Sequence, residues 1–279
     1  MNALKTTFFL ALLSALMILI GYGFAGERGM LMALVLAAGM NFFSYWFSDR
    51  LVLAMHRAQP ITREQSPRLY EILERLTGQA GLPMPRIYLL PEEAPNAFAT
   101  GRDPRHAAVA VTAGIMRLLN EEELEGVLAH ELSHVRNRDI LISSVAATLA
   151  SAIMVLASMA RWAALFGFGG RSDRDGPNPL VLIVSALVAP IAAMLIQLAV
   201  SRAREYQADQ SGAAMTRNPY GLASALQKLE TYSRRIPMRT AGASSNHLFI
   251  VKPFSGQAMA NLFSTHPPIR ERIRRLTGR

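Results

Sequence analysis

Residues 120–139 read Asn-Glu-Glu-Glu-Leu-Glu-Gly-Val-Leu-Ala-His-Glu-Leu-Ser-His-Val-Arg-Asn-Arg-Asp, and an uncharged run from Ile140 to Ala160 follows at once. Asn120 is a helix-capping acceptor, and Glu123 three positions on completes a reciprocal cap. Leu124, Val127, Leu128, Leu132 and Val135 then recur at a three-to-four spacing, which predicts a helix. The run behind it is 21 residues long without Asp, Glu, Lys or Arg. A helix needs roughly 20 apolar residues to cross a bilayer core of about 30 Å. A charged helix is thus brought to the edge of an apolar one.

Three more runs share that character: Thr6–Gly26, Gly29–Ser48 and Leu180–Val200. The 279 residues are 51% hydrophobic, carry a formal charge of +9 and include no cysteine. This excludes a disordered tail, a disulfide framework and a thiolate metal site. Thr6–Gly26 has features of a secretory signal, with Lys5 before it and Ala25 near a cleavage point. Its length, and the second run after only Glu27 and Arg28, favour a membrane hairpin. Phe42, Phe43, Tyr45, Trp46 and Phe47 close that hairpin with an interfacial aromatic belt.

The expected division is a transmembrane hairpin at 1–48, a first polar part at 49–139, a second hairpin with a short link at 140–200, and a second polar part at 201–279. For the second hairpin the alternatives are a buried soluble pair, or one that dips into the bilayer without crossing. Four crossings put both polar parts on one side. Ten Lys and Arg near the span ends lie on that side against four on the other, so the positive-inside rule makes it cytoplasmic.

Within the polar parts the spacing predicts a helix over Thr62–Gly78 and short strands at Arg86–Leu90, Asn96–Thr100 and Ala107–Val111. The fold class is α+β, mainly α-helical, with a small sheet. The chemistry sits on the 120–139 helix. His130 and His134, four apart, project from one face and can reach a single ion. Zinc accepts neutral imidazole, and catalytic zinc takes three protein ligands, leaving one position open. Glu131 is offset around the helix, suited to act as a base. The sequence Arg204-Glu-Tyr-Gln-Ala-Asp209 follows the last apolar run. Glu205 can ligate the metal, and Asp209 one turn later can orient a ligand histidine. Two crossings between His134 and Glu205 return the chain to the same face, so the three ligands can meet just above the lipid.

These strings, together with Asn96-Ala-Phe-Ala-Thr-Gly101 and Ser264-Thr-His-Pro-Pro268, resemble the HtpX-type membrane zinc metalloproteases, gluzincins related to the CAAX prenyl endopeptidases. The resemblance spans nearly the whole chain. It implies one Zn2+ per chain held by His130, His134 and Glu205, Glu131 as catalytic base, and Asp209 as partner of His130. It implies an edge strand, at Asn96 and Ala97, that pairs with extended substrate. It also places His266 near the metal, where three roles stay open: donor to the oxyanion, occupant of the fourth zinc position at rest, or a structural histidine before Pro267-Pro268. His56 and His106 are expected at the surface.

The resemblance further implies a bacterial inner-membrane, multi-pass protease with a cytoplasmic active site. Expected partners are damaged or misfolded membrane proteins, the lipid bilayer and other membrane quality-control proteases. Segment 201–279 carries 13 basic and 4 acidic residues. A nucleic-acid partner is not expected, because no groove-reading motif or stacking aromatics accompany that charge. Ile269–Leu276 reads as an amphipathic helix with a solvated or lipid-facing basic side. The alternative enzyme class is intramembrane proteolysis of the site-2 type, against which Glu121, Glu122, Glu123 and Glu125 count, because their burial in lipid is very costly. The non-enzyme alternative is a metal-stabilised membrane adaptor or holdase, for which Glu131 would have no use.

Overall fold

Alternation along Arg86–Leu90 and an apolar run at Ala108–Thr112 make two strands that lie side by side and parallel, Arg86 opposite Ala108 and Leu90 opposite Thr112. A computed structural model of the chain describes residues 2–141, 145, 202–233 and 267–278. Most of Ile140–Ala160, all of Leu180–Val200, the link between them, His247 and His266 lie outside the described residues.

The described elements are α1 (Asn2–Met55), β1 (Gln59–Pro60), α2 (Pro67–Ala80), β2 (Arg86–Leu90), β3 (Ala97–Thr100), a 3-10 turn at Pro104–His106, β4 (Ala108–Thr112), α3 (Ala113–Leu118), α4 (Glu121–Arg136), α5 (Arg202–Thr216), α6 (Pro219–Ser233) and α7 (Ile269–Thr277). The protein is mainly helical with one small mixed sheet, in the order β1-β2-β4-β3. The expected strands appear within one residue of their places. The expected helix at Thr62–Gly78 begins later, at Pro67, and ends on Gly81 in the left-handed conformation. Strand β1, two residues long, carries no periodic signal.

α1 is helical by its hydrogen bonds but is not one straight rod. Gly26 has a φ of +56°, a left-handed kink that glycine adopts without penalty. Asn41 Nδ2 donates to Ser14 Oγ over 2.8 Å. A straight helix would hold residues 27 apart at about 40 Å, so the chain must double back between them. Segments Gly26–Phe43 and Tyr45–Met55 are then bent by 67°. Among the described residues no single helix is long and apolar enough to cross a membrane, though this bent pair meets that test by length and composition.

The boundary expected at 48 falls inside helix. Ser48 and Asp49 are buried, and Arg86 on β2 donates to Asp49 over 2.6 Å. Val52 and Leu53 pack on one face of the sheet, against Leu90, Phe98, Ala108 and Ala110. The opposite face, with Ile87, Ala97, Ala99, Val109 and Val111, meets Leu69, Ile72, Leu73 and Leu76 of α2 and Leu124, Leu128 and Leu132 of α4. Each such leucine, fully buried, contributes about 1.5–3 kcal/mol. His56 is buried as well, its ring 5.8 Å from that of Phe98. The surface expected for it is corrected: the helix that carries it lies against the sheet. His106 is exposed, with Nδ1 2.8 Å from Asp103.

α4 begins with the expected reciprocal cap, the Asn120 side chain accepting from the Glu123 amide and the Glu123 carboxylate from the Asn120 amide. Glu123 also takes Ser224 Oγ at 2.7 Å and Lys228 Nζ at 2.8 Å from α6, which fixes α6 along α4. α5 crosses on the other side so closely that a Cβ on Gly212 would lie 2.9 Å from the His130 amide nitrogen. Only a residue without a side chain permits that crossing, and it sets α5 against the His-bearing turn.

Candidate metal centre

The helical register of α4 buries Leu128 and Leu132 in the core and turns His130 and His134 toward α5. Their Nε2 atoms are 3.3 Å apart. Glu205, one turn into α5, places Oε1 3.6 Å from His134 Nε2 and Oε2 3.7 Å from His130 Nε2. Among the described residues these three form a group whose ligand atoms all lie within 4.8 Å of one another. Donors 2.0–2.2 Å from a tetrahedral ion stand roughly 3.3–3.5 Å from one another, so the spacing fits zinc to within a few tenths of an ångström.

The far side of each imidazole supports the same reading. His130 Nδ1 lies 2.9 Å from Asp209 Oδ1, and His134 Nδ1 lies 3.3 Å from Asp139 Oδ2. Each carboxylate favours the proton on Nδ1, which leaves both Nε2 lone pairs aimed into one small space. A cation in that space can be ligated by both nitrogens once the imidazoles are neutral. The donor set suits zinc: two imidazoles, one carboxylate and no thiolate.

Glu131 is buried beside this group and accepts the Ala99 amide hydrogen over 2.8 Å. Burial pushes its carboxyl up from the ordinary range; the two histidines and the Ala99 amide pull it down, and Glu205 pushes it up again. His134 is pulled down by burial, but the Asp139 hydrogen bond and the charges of Glu205, Glu131 and Asp139 outweigh that and raise it to about 9.

The edge strand is where it was expected. β3 is the outer strand of the sheet, antiparallel to β4. The Asn96 carbonyl accepts the Thr112 amide at 2.9 Å. Antiparallel backbone groups alternate sides, so Phe98 also faces β4 while Ala97 and Ala99 face outward. The Ala99 amide is taken by Glu131, and the Ala97 amide lies 2.9 Å from Asn96 Oδ1. The open side of β3 therefore runs past the Glu131 carboxylate.

His130, Glu131, His134, Glu205 and Asp209 converge; Ala97 begins the adjacent strand and Asn96 immediately precedes it; His266 lies outside the described residues. Sequence reasoning missed two contributors. Asp139 stands five residues after His134, just past the helix end, within the Asn137-Arg-Asp139 string that shares in the resemblance, but it was given no role. The basic side of the 269–276 helix was expected to be solvated or lipid-facing, and for Arg272 that is corrected. Arg270, Arg274 and Arg275 are exposed, but Arg272 is 0% exposed, with Nη2 2.6 Å and Nε 2.8 Å from the two oxygens of Asp209. A signal was present: Ile269, Arg272, Ile273 and Leu276 form one i, i+3, i+4, i+7 stripe, which puts this arginine on the apolar face.

The sequence profile of peptidase family M48 matches residues 63–279. The chain belongs to peptidase family M48. Full-length similarity extends to the "Protease HtpX homolog" of Syntrophobacter fumaroxidans, 60% identical over 98% of this chain and 97% of the relative. Proteins of the same description from Pelotomaculum thermopropionicum and Pyrococcus furiosus are each 52% identical, covering 100% and 98% of this chain and 99% and 94% of theirs. The crystal structure of S. mikatae Ste24p shares the fold, with a TM-score of 0.55 and 17% identity over 99% of this chain and 64% of that one. As an M48 protein the chain is a membrane metallopeptidase, and the resemblance drawn from its motifs holds.

Proposed function

We propose that this M48 peptidase is a zinc-dependent endopeptidase that hydrolyses peptide bonds in damaged or misfolded membrane proteins. It is read as a multi-pass protein of a bacterial inner membrane, its four apolar runs crossing and its site facing the cytoplasm. The observation that carries the catalytic part is the convergence of His130, His134 and Glu205 at zinc-ligand spacing beside the buried Glu131 carboxylate.

His130 Nε2, His134 Nε2 and one Glu205 oxygen would hold the ion. Zinc, when bound, polarises a carbonyl and lowers the pKa of water from 15.7 to about 7. Glu131 takes the proton of the attacking water and passes it to the leaving amine. The raised carboxyl of Glu131 suits it to both halves of that transfer. Ala97 and Ala99, through their outward carbonyls, offer main-chain pairing to an extended peptide, while the Ala97 amide is held by Asn96. Pairing of this kind reads backbone, so many sequences are accepted. His266 is proposed, on resemblance, as the donor to the oxyanion. A silent adaptor or holdase is not favoured, because zinc storage has no use for a buried base at position 131.

The test uses detergent-purified wild type and Glu131→Ala, each loaded with zinc and incubated with unfolded casein. Equal zinc content with cleavage by wild type alone is expected. Undiminished cleavage by the variant removes Glu131 from the reaction, and zinc-loaded wild type that cleaves nothing favours the adaptor.

A further inference from the structure

We propose that Arg272 is a positioning residue for the metal centre: through Asp209 it fixes the orientation and tautomer of His130, and so links metal retention to the docking of α7. This rests on the zinc reading above. Four observations converge on it.

The guanidinium is fully buried and binds Asp209 in two-pronged fashion, Nη2 to Oδ1 at 2.6 Å and Nε to Oδ2 at 2.8 Å. A fork of this kind sets the plane of a carboxylate, which a single contact does not. Oδ1 of the same carboxylate meets His130 Nδ1 at 2.9 Å, so the plane that Arg272 sets is the plane that receives the imidazole hydrogen. Nε2 is then the atom left for metal.

Charge supplies a second reason. Glu131, Asp139, Glu205 and Asp209 are all buried around the centre. Arg272 is a fully buried cation among them, with Nη1 also 3.9 Å from Glu205 Oε2. The guanidinium charge sits against the same Asp209 carboxylate that faces His130.

Third, Nη2 lies 3.4 Å and 3.5 Å from the two ring nitrogens of His130. The guanidinium therefore also lies directly against the imidazole. Fourth, α7 grips α5 at two matched points. Arg272 meets Asp209, and Arg275, three residues on, lies 3.8 Å from the Tyr206 ring centre, three residues before Asp209. Displacement of α7 withdraws the clamp on Asp209 and with it the support of His130.

The experiment measures zinc affinity of the full-length protein in detergent by chelator competition at neutral pH. Asp209→Asn and Arg272→Gln are each expected to weaken zinc roughly 10–100-fold. The double variant is expected to be no weaker than the poorer single, because Arg272 acts through Asp209. Arg272→Lys should fall between wild type and Arg272→Gln, its ammonium lacking the fork, and Arg270→Ala, on the exposed face, should match wild type. A merely structural arginine would lower the melting temperature and leave the zinc affinity of the folded protein unchanged.

Folded Arg272→Gln with wild-type affinity overturns the proposal, and so do losses that multiply in the double variant. If Arg272→Gln does not fold, Arg272→Lys decides: affinity equal to wild type overturns. Wild type that binds no zinc overturns the zinc reading and this inference together. Loss in Asp209→Asn but not in the Arg272 variants overturns this inference alone.

Discussion

The backbone amide of Ala99, on the open side of the edge strand, donates to Oε2 of Glu131 over 2.8 Å. Sheet and catalytic helix are thus joined at the proposed base. Burial raises the Glu131 carboxyl, and this amide is one of the groups that lower it. Activity needs the ionised form, so kcat/KM should fall as pH drops through the raised pKa. Ala99→Pro removes the donor at an outward position that an edge strand tolerates. Its acid limb should lie at higher pH than that of wild type in a kcat/KM profile. Coincident limbs would show that the amide does not tune the base.

Zinc entry should expel a proton. In the metal-free protein His134 is raised from 6.5 to about 9, so it is protonated at neutral pH, whereas a metal ligand must be neutral. Zinc affinity should therefore climb with pH until about 9 and then level. The stability of the metal-free chain has the opposite sign. The contribution of His134 is complete below pH 6.5 and disappears as pH rises through about 9. Chelator titrations and thermal melts of the stripped protein across that window measure both. Zinc affinity that stays flat across it would mean that His134 is already neutral.

Doubling back of α1 can be trapped chemically. The chain contains no cysteine, so Ser14→Cys with Asn41→Cys introduces a single possible pair at two side chains now 2.8 Å apart. Mild oxidation should give an intramolecular cross-link, detected by mass spectrometry of the peptides. Ser14→Cys with Met32→Cys should not cross-link. If only intermolecular products form, the two halves of α1 do not pack on each other.

Gly212→Ala tests the close crossing of α4 and α5. Its Cβ would meet the His130 amide nitrogen at 2.9 Å and the Ala129 carbonyl carbon at 3.1 Å. Backbone cannot rotate away, so α5 must retreat, taking Glu205 and Asp209 with it. A loss of about 1–3 kcal/mol in stability and weaker zinc binding are expected. Gly78→Ala, with open space around it, should cost nothing. Melts with and without zinc separate the two effects, and an unaltered Gly212→Ala would refute the tight crossing.

The extent to which the chain could be read before its structure follows from the range of the interactions concerned. Asn120 and Glu123 interact within one helical turn, and His130 with His134 likewise, so α4 and its two imidazoles were legible from spacing. Glu205 and Asp209 were legible because their charges recur one turn apart just after an apolar run. Chemistry suggested that Asp209 orients a ligand histidine, the resemblance implied His130, and the two lie 2.9 Å apart. Arg272 was misread because its partner is 63 residues away; local periodicity assigns a charge to water unless a distant opposite charge claims it. His56 was misread for a related reason, since only tertiary docking of the α1 end on Phe98 covers it. The overrun of helix past residue 48 reflects the Asp49–Arg86 ion pair, which no local pattern encodes.

Glu205 follows His134 by 71 residues of sequence. A growing polypeptide that has emerged only as far as α4 therefore already owns both imidazoles and the base, yet has nothing with which to close a third corner around an ion. On the proposed ligand set, hydrolytic competence waits until α5 has been synthesised.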